Sequence, residues 1–314
     1  MSDLDIINVV LASDDNYAQH VAVVVASVLL HTIDKKRIHF FVLSDDISAN
    51  NKKKIEITVA NLGSTVEFIE LSKLSIFNDV YISGHISRAT YFRLYLSEIL
   101  PSSIHKAIYL DVDLLVYDDI VKLWNVDMLD LPLAAVTDLG ILSSNRVMQE
   151  KINVLNITGE KYFNAGVLIL DLDKWRANRY ADMIMDLILK NKFIHHDQDG
   201  LNMVFNGNWI ELPLCWNVIP PVWLLFPKIL FNKAIRNKAV EARRNMSICH
   251  YAGRCKPWEF KEFSKFNSDY YKYLNFTEFK NVVMPRPGKN MVGKSSIKKY
   301  LEVKFADLVS LILR

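Results

Sequence analysis

The sequence predicts an α/β fold built around a mostly parallel β-sheet. Short runs rich in Val, Ile and Phe alternate with helix-like segments along the first half of the 314-residue chain. Strands that alternate with helices form parallel sheets whose faces the helices cover. Hydrophobic residues make up 51% of the chain, which is enough apolar material to form a sizeable core in a globular protein.

The predicted elements follow one another in a regular order. The strands are IINVVLAS (6–13), RIHFFVLS (37–44), TVEFIEL (65–71), KAIYLDVD (106–113), LAAVTD (133–138) and FNAGVLILDL (163–172). The helices cover roughly 17–31, 48–61, 87–99 and 173–190. Because ligands of such folds bind at the carboxyl ends of the strands, the polar residues at those ends are the candidates for a functional site.

The stretch 213–245 differs from the alternating part of the chain. Four prolines lie among tryptophans, and a basic run (RNKAVEARRN) follows them. This composition predicts a long loop or a small helical subdomain. A long segment beside an α/β site is often a lid or a substrate wall, and a simple connector is the alternative.

The C-terminal segment 280–314 is basic. It holds eight Lys or Arg and two acidic residues, a net charge of +6, which leaves −3 for the remainder of the chain. A helix over 297–312 would place five apolar residues on one face: Ile297, Leu301, Phe305, Leu308 and Ile312. A basic amphipathic helix is typical of attachment to an anionic membrane surface. The alternative is a helix that packs on the body by the same apolar stripe.

The composition argues against nucleic-acid-binding, secreted, membrane-spanning and disulfide-rich proteins. A slightly acidic body argues against a nucleic-acid partner. Acidic residues stand where a secretory signal would be basic, and the apolar stretch 21–30 is too short to span a bilayer. Three cysteines (Cys215, Cys249 and Cys255) form no disulfide framework, and CHYAGRC lacks the four ligands of a structural zinc site. We therefore expect a cytoplasmic protein.

An aspartate pair inside an apolar run predicts a cation site. Asp-x-Asp occurs four times: Asp3/Asp5, Asp111/Asp113, Asp171/Asp173 and Asp197/Asp199. The first pair lies near the terminus, and helix capping explains the third. Only Asp111/Asp113, in AIYLDVDLLV, is apolar on both sides. Carboxylates in such surroundings need a counter-charge, and two at i and i+2 can bind one divalent ion.

A second segment, SICHYAGRCKPWEF, supplies candidate partners for this pair. Oxygen ligands suit Mg²⁺ or Mn²⁺, and an imidazole from His250 would favour Mn²⁺. A structural role for His250 is the alternative. Gly253 would allow close backbone approach and Lys256 would supply charge, as a diphosphate requires.

The first predicted strand ends in Asp14-Asp15-Asn16. One aspartate is explained by a helix N-cap, and the second could accept hydrogen bonds from a base or a ribose. No Gly-x-Gly-x-x-Gly follows this strand, and the chain has no P-loop motif. A metal, and not a glycine loop, would therefore have to bind any phosphates.

Six blocks of the sequence carry a resemblance to a known family. They are ASDDNYAQHVAVVVASV, HISRATYFRLYLSEILP, KAIYLDVDLLVYDDIVKLW, YFNAGVLILDLDKWR, DQDGLN and HYAGRCKPW. In this order, over residues 6–260, they resemble glycosyltransferase family 8, and within it the bacterial lipopolysaccharide or lipooligosaccharide galactosyl- and glucosyltransferases. Gly200 in DQDGLN is a departure, since the family usually has a larger residue there, and we expect it to loosen that helix start.

The resemblance implies a nucleotide-diphosphosugar transferase fold of the GT-A type. Such an enzyme would bind a UDP-sugar with Mn²⁺ or Mg²⁺ and transfer galactose or glucose, with retention of configuration, to a saccharide or a lipid-linked oligosaccharide. Residues 1–279 would form the catalytic domain, with 213–245 as a possible acceptor-side lid. Residues 280–314 would attach it peripherally to the inner face of the cytoplasmic membrane.

Matching the family motifs to this sequence implies roles for individual residues. The metal ligands would be Asp111, Asp113 and His250. The UDP part of the donor would contact Ala12, Asp14, Asn16, Asp111, Val112, Asp113, Gly253 and Lys256. The transferred sugar and its surroundings would involve His85, Arg93, Asp138, Asn164, Asp197 and Gln198.

Retention requires either a covalent intermediate or attack from the side of the departing group. Gln198 matches the position beneath the anomeric carbon, and an amide is a poor nucleophile. We therefore expect front-side attack, with a UDP phosphate oxygen taking the acceptor's proton and Asp197 contacting a sugar hydroxyl.

Two other functions are compatible with parts of the sequence. YLDVDLLV resembles the phosphorylated motif of haloacid dehalogenase phosphatases, although that motif lies near the N-terminus and has Thr or Val where this chain has Leu115. A non-enzymatic, metal-dependent sugar- or membrane-binding module would use Asp111 and Asp113 but would leave Lys256, Asp14 and Asn16 without a role.

Overall fold

A seven-stranded, mostly parallel sheet forms the centre of the protein in a computed structural model that describes residues 6–71, 88–157, 161–253, 256–258, 265–281 and 294–312. The strands are β1 (Ile7–Asp14), β2 (Ile38–Asp45), β3 (Thr65–Glu70), β4 (Lys106–Leu110), β5 (Leu114–Val116), β6 (Leu133–Thr137), β7 (Phe163–Asp171), β8 (Ile210–Leu212) and β9 (Ile248–His250). The central sheet has the order β3-β2-β1-β4-β7-β6-β8, and only β7 runs against its neighbours. The predicted α/β class is confirmed.

Helices cover both faces of this sheet. They are α1 (Ala18–His31), α2 (Ala49–Asn61), α3 (Leu96–Ile99), α4 (Ile120–Trp124), α5 (Leu139–Leu142), α6 (Asn145–Leu155), α7 (Leu172–Asn178), α8 (Tyr180–Lys190), α9 (His196–Phe205), α10 (Pro220–Trp223), α11 (Pro227–Leu230), α12 (Lys233–Arg244), α13 (Lys265–Leu274) and α14 (Lys294–Ile312). Alternate residues of β1 enter different cores, Val9 and Leu11 on one face and Val10 and Ala12 on the other. This explains why the strand is apolar throughout.

The predicted strand 106–113 is shorter in the structure, where β4 ends at Leu110. Asp111 to Asp113 link it to β5, which pairs antiparallel with β9 in a separate two-stranded sheet. Local sequence does not reveal this break because β9, the partner of β5, is more than a hundred residues away. The aspartates thus lie in the link between two sheets and not inside a strand.

Two predicted helices are also divided. The segment 173–190 forms α7 and α8, which meet at Arg179 in a left-handed conformation with φ of 52°. The helix expected at 87–99 begins as a 3-10 helix, Arg88–Tyr95, and continues as α3. Hydrophobic spacing alone does not distinguish a continuous helix from these two forms.

The region 213–245 is helical, as one of its two sequence interpretations proposed. A 3-10 turn at Leu214–Trp216 precedes α10, α11 and α12. Prolines begin α10 and α11, where their missing N–H groups and fixed φ are favourable.

The C-terminal helix α14 packs on the body by a face other than its apolar stripe. Val303, Ala306 and Ser310 are buried, and Asp307 pairs with Arg243 of α12. Leu301, Phe305 and Leu308 are 59%, 53% and 55% exposed. The alternative in which this stripe packs on the body is therefore wrong. Within the described ranges, the helices lack the combination of length and apolar character that crossing a bilayer requires.

His20 of α1 connects the first helix to the segment that carries Lys256. Its ring stacks on Trp258 with centroids 3.7 Å apart, and its Nδ1 is 2.6 Å from the Tyr270 hydroxyl. Burial is the main cause that lowers the pKa of His20, to about 3. The folded protein therefore holds this imidazole neutral.

We expect His20 to make the protein sensitive to acid. Below pH 6.5 the unfolded chain binds a proton at this position and the folded protein does not, so the free energy of unfolding falls by about 1.4 kcal/mol per pH unit. A His20→Phe variant removes this dependence. Urea unfolding at pH 6.5 and pH 4.5 should show the wild type losing about 2 to 3 kcal/mol more than the variant. Equal losses in the two proteins would contradict the assignment of a neutral His20.

Candidate active site

A cavity of about 800 Å³ opens at one edge of the central sheet. It lies where β1, β4 and β6 end and where the reversed strand β7 begins. Of the residues implied by the sequence, thirteen line it: Ala12, Asp14, Arg93, Asp111, Val112, Asp113, Asp138, Asn164, Asp197, Gln198, His250, Gly253 and Lys256. Its volume is in the range of small-molecule sites in proteins.

Asp111, Asp113 and His250 form a compact group on the cavity wall. One ligand atom from each residue lies within 4.8 Å of the others. His250 Nε2 is 3.1 Å from Asp113 Oδ1 and 3.8 Å from Asp111 Oδ2. The antiparallel pairing of Leu114 with His250 brings the imidazole beside the aspartates. Two carboxylates and an imidazole are a donor set that suits Mn²⁺ or Mg²⁺.

Lys256 reaches the same group from the loop after β9. Its Nζ donates to Asp113 Oδ2 and, over 2.8 Å, to the carbonyl of Tyr251. Burial raises the pKa of the Asp113 carboxyl, but Lys256 and His250 lower it more, so that it lies well below its ordinary value. Asp113 is therefore ionised at neutral pH and available to bind a cation.

Arg93 balances the charge of the other aspartate. It comes from the 3-10 helix and is almost fully buried. Its Nη1 is 2.9 Å from Asp111 Oδ1 and its Nε is 2.9 Å from Asp197 Oδ2. Burial, which outweighs the opposing effect of Arg93, raises the pKa of Asp197 to about 6. The guanidinium thus bridges the start of α9 and the candidate metal ligands Asp111, Asp113 and His250, which together form the metal-ligand group.

A hydrogen-bonded group of three residues also lines the cavity: Gln198, Asn164 and Asp138. Gln198 Oε1 accepts from Asn164 Nδ2 and from the Ala165 backbone N–H, each over 3.1 Å. Gln198 Nε2 donates to Asp138 Oδ2 over 3.3 Å. Asp138 also caps α5 by accepting from the N–H groups of Gly140 and Ile141. These bonds fix the orientation of the Gln198 amide.

A buried ion pair holds the start of α9 in place. Lys151 Nζ donates to both oxygens of Asp199 over 2.7 Å, and the Tyr162 hydroxyl donates to Asp199 Oδ1 over 2.6 Å. Gly200 lies within α9, where a Cβ would come within 3.0 Å of Ile188 in α8. The loosening of the helix start expected for Gly200 stays a prediction, and the structure shows that this glycine lets α8 and α9 pack closely.

The other end of the cavity is formed by the turn after β1. Asp14 Oδ1 caps this turn by accepting from Tyr17 N–H over 3.0 Å, and Asp14 also lines the cavity. Asp15 binds the Ser48 N–H and the Asn51 side chain instead. Asn16 is exposed and does not contribute to the cavity lining. Tyr17 does contribute, although no role was assigned to it from the sequence.

The roles assigned from the sequence to Gly253 and His85 have different outcomes: the structure places Gly253 at the cavity and does not describe His85. Gly253 has a φ of +91°, a conformation that favours glycine, and it lines the cavity. His85 lies outside the described residues.

Gly166 in β7 leaves room for the metal-ligand group. A Cβ at this position would lie 2.4 Å from His250 Cε1 and 2.8 Å from Asp111 Oδ2. The Gly166 carbonyl also accepts from the Asp111 N–H over 2.8 Å. The absence of a side chain at Gly166 thus lets His250 and Asp111 share this side of the cavity. With Asp113, these two side chains form a set of ligands that fits a divalent ion.

Comparisons with known proteins show which proteins this chain resembles. The family model described as glycosyl transferase family 8 matches residues 8–262. General stress protein A of Bacillus subtilis (strain 168) is 30% identical over 289 residues, which cover 90% of this chain and 97% of that protein. Lipopolysaccharide 1,2-glucosyltransferase of Escherichia coli (strain K12) is 27% identical over 80% of this chain and 72% of that enzyme.

A solved structure has a similar fold over most of the chain. The galactosyltransferase LgtC in complex with donor and acceptor sugar analogues superposes with a TM-score of 0.75 at 28% identity, over 87% of this chain and 96% of that chain. The nucleotide-diphosphosugar transferase fold of the GT-A type, which the family resemblance implied, is confirmed by this match.

We expect Gly166→Ala to abolish metal binding at this group, because the added methyl would displace His250 or Asp111. Titration with Mn²⁺ in the presence of UDP, followed by calorimetry, measures the effect. Gly63→Ala is a matched control, since its methyl would meet no atom within 4 Å although its φ of +87° is strained. Unchanged Mn²⁺ binding by Gly166→Ala would contradict the assignment of the ligand group.

Proposed function

The chain belongs to glycosyl transferase family 8, and from this membership we propose that it transfers a hexose from a UDP-sugar to a saccharide acceptor, with metal dependence and retention of configuration. The observation that carries the proposal is the group of Asp111, Asp113 and His250 with Lys256 beside it, at the strand ends where such folds bind ligands. Family membership by itself supports glycosyltransferase activity. The donor, the metal and the stereochemistry are the proposed part.

The diphosphate of the donor would lie against Asp111, Asp113, His250 and Lys256. A bound Mn²⁺ or Mg²⁺ supplies positive charge that stabilises the departing UDP. Lys256 contributes a second positive charge from a nearly buried position, where electrostatic interactions are stronger than in water. Gly253, with its positive φ and no side chain, would let the backbone approach the phosphates.

The uridine would occupy the end of the cavity near β1. Ala12, Asp14 and Tyr17 line that end, and the half-buried Tyr17 ring offers a surface for a base. In this arrangement Asp14 serves both as the cap of the turn and as a polar wall of the pocket. Asn16 is exposed and does not line this end of the cavity, so the structure gives no support to its proposed contact with the nucleoside.

The hexose would lie between the metal-ligand group and the start of α9. Asn164, Asp138, Asp197 and Arg93 present fixed polar atoms there, which suits recognition of sugar hydroxyls. The similar proteins include one named as a glucosyltransferase and one named as a galactosyltransferase, and both hexoses are retained as candidate donors.

The orientation of Gln198 supports front-side attack. Its carbonyl oxygen accepts two hydrogen bonds, from Asn164 and from the Ala165 N–H, and an amide oxygen engaged in this way is a weak nucleophile. The acceptor hydroxyl would then attack from the side of the leaving group, and a phosphate oxygen of UDP would take its proton. Asp197 would bind a sugar hydroxyl, and Arg93 would hold the Asp197 carboxylate in place.

The acceptor is proposed to be a lipid-linked saccharide such as the lipopolysaccharide core, since one similar enzyme is named as a lipopolysaccharide glucosyltransferase. The helices of 213–245 would form the acceptor side, since Pro220 and Pro221 line the cavity. The exposed stripe of α14, in a segment of net charge +6, would attach the protein to the anionic inner face of the cytoplasmic membrane.

The donor is tested with a panel of UDP-sugars. We expect Mn²⁺-dependent release of UDP with UDP-galactose or UDP-glucose, and a loss of about a hundredfold or more in rate for Asp113→Asn. Asp173→Asn, an exposed aspartate of another Asp-x-Asp pair, is the control and should keep the wild-type rate. No UDP release with any sugar and acceptor, or full activity of Asp113→Asn, would overturn the proposal.

The mechanism is tested at Gln198. Front-side attack predicts that Gln198→Ala slows transfer without abolishing it, because the Gln198 side chain orients the sugar and forms no covalent bond to the sugar. Mass spectrometry of the wild type and of the variant after incubation with donor should detect no glycosyl adduct. A trapped adduct on Gln198 or Asp197, together with complete loss of turnover in Gln198→Ala, would exclude this mechanism.

Membrane attachment is tested by changing the exposed stripe. A triple variant replaces Leu301, Phe305 and Leu308 by Ser. It should bind vesicles with anionic lipids about tenfold or more weakly, because each apolar side chain contributes on the order of 1 kcal/mol or more when buried. Leu129→Ser, at a residue that is 65% exposed outside α14, is the matched control. Deletion of the residues after Pro287 should have the same effect, and both changes should leave transfer to a soluble oligosaccharide intact. Vesicle binding equal to that of the wild type would refute this role.

A further inference from the structure

A buried asparagine outside the residues assigned so far connects the metal-ligand group with the sugar side of the cavity. Asn217 follows the 3-10 turn Leu214–Trp216 and is 3% exposed. The backbone of its neighbour Val218 is bound to β9, since Val218 N–H donates to Ile248 over 3.0 Å and His250 N–H donates to Val218 over 3.1 Å. These bonds hold Asn217 directly beside the imidazole of His250.

The side chain of Asn217 makes one hydrogen bond in each direction. His250 Nδ1 lies 2.8 Å from Asn217 Oδ1, and Asn217 Nδ2 donates to Asn164 Oδ1 over 2.9 Å. Asn164 Nδ2 donates onward to Gln198 Oε1. A continuous chain of amides therefore runs from a metal ligand to the residue at the proposed reaction centre.

Two backbone N–H groups determine the direction of every bond in this chain. The Ala165 N–H donates to Gln198 Oε1, so the Asn164 amide must present its NH₂ to that oxygen. Gly166 N–H donates to Asn164 Oδ1 over 3.0 Å, so this oxygen is an acceptor and the Asn217 amide must present its NH₂ to it. The carbonyl of Asn217 then faces His250, and Nδ1 must carry the imidazole proton. The Nε2 lone pair is left for a cation between Asp111 and Asp113.

We propose that Asn217 is a positioning residue that holds His250 in its metal-binding tautomer and, through its other hydrogen bond, orients Asn164 toward the donor sugar. The inference rests on the proposed function. A metal-bound imidazole almost always donates its second N–H to a partner that fixes its ring, and loss of such a partner typically lowers metal affinity about 10-fold to 100-fold. Asn217 differs from a simple partner of this kind because its NH₂ group acts on the sugar side at the same time.

Two substitutions separate these two effects. Asn217→Ala removes both hydrogen bonds. Asn217→Asp keeps an acceptor for His250 Nδ1 but places a carboxylate oxygen against Asn164 Oδ1, which the Gly166 N–H keeps as an acceptor. Asn8→Ala is the matched control, since Asn8 is also buried, at 6% exposure, and its side chain donates to the Lys106 carbonyl at the far end of β4.

The apparent Mn²⁺ affinity is measured by calorimetric titration of UDP at graded Mn²⁺ concentrations, and kcat and KM for the UDP-sugar are measured at saturating Mn²⁺. We expect Asn217→Ala to weaken the apparent Mn²⁺ affinity by about 10-fold to 100-fold. Asn217→Asp should stay within about threefold of the wild type in Mn²⁺ affinity, because a carboxylate also serves as a partner of a metal-bound His. It should lose about tenfold in kcat/KM for the donor, the size of a single lost hydrogen bond to an oriented group. Asn8→Ala should change neither quantity.

A merely structural role gives a different pattern. Both Asn217 variants would then lose Mn²⁺ affinity and kcat/KM in parallel with a drop in thermal stability, and Asn8→Ala would behave like them. That result, or wild-type Mn²⁺ affinity in Asn217→Ala, would overturn the inference. UDP binding by the wild type that does not depend on Mn²⁺ would instead contradict the proposed metal dependence.

Discussion

The site depends on two partly buried carboxylates that lie close together on the cavity wall. Asp111 and Asp113 lie in the link between β4 and β5, and removing an ion from water costs several kcal/mol unless an opposite charge compensates. Each surrounding element supplies part of that compensation. The 3-10 helix brings Arg93 to Asp111, and the loop after β9 brings Lys256 to Asp113. The imidazole of His250 completes a group that fits a divalent ion.

The reversed direction of β7 determines what else can face this pair. Because β7 begins where its parallel neighbours end, its first residues enter the cavity and its last residue, Asp171, caps α7 at the opposite edge. Asn164 is thereby brought to the sugar side, and Gly166 leaves the volume that His250 and Asp111 occupy. A strand in the usual direction would have presented a different set of side chains to the site.

Much of this could be predicted from the sequence, for identifiable reasons. The alternation of strands and helices is a local property, and it predicted the sheet; the unusual apolar setting of one Asp-x-Asp pair predicted the ligand group. The end of β4 at Leu110 and the direction of β7 could not be predicted, because both depend on partners far along the chain. The roles of Asn217 and of the Lys151–Asp199 pair are also non-local. Tyr17 lies in the first of the sequence blocks that resemble the family. Its place in the cavity wall depends on the geometry of the turn after β1, which the sequence does not reveal.

The central claim is that the two aspartates and His250 hold a divalent ion against the diphosphate of a nucleotide. Its most direct test is anomalous diffraction from crystals grown with Mn²⁺ and UDP. The expected result is one manganese peak about 2.0 to 2.3 Å from an oxygen of each aspartate and from His250 Nε2, with the UDP phosphates in contact with it. A peak at another site, or UDP bound away from this group, would contradict the account.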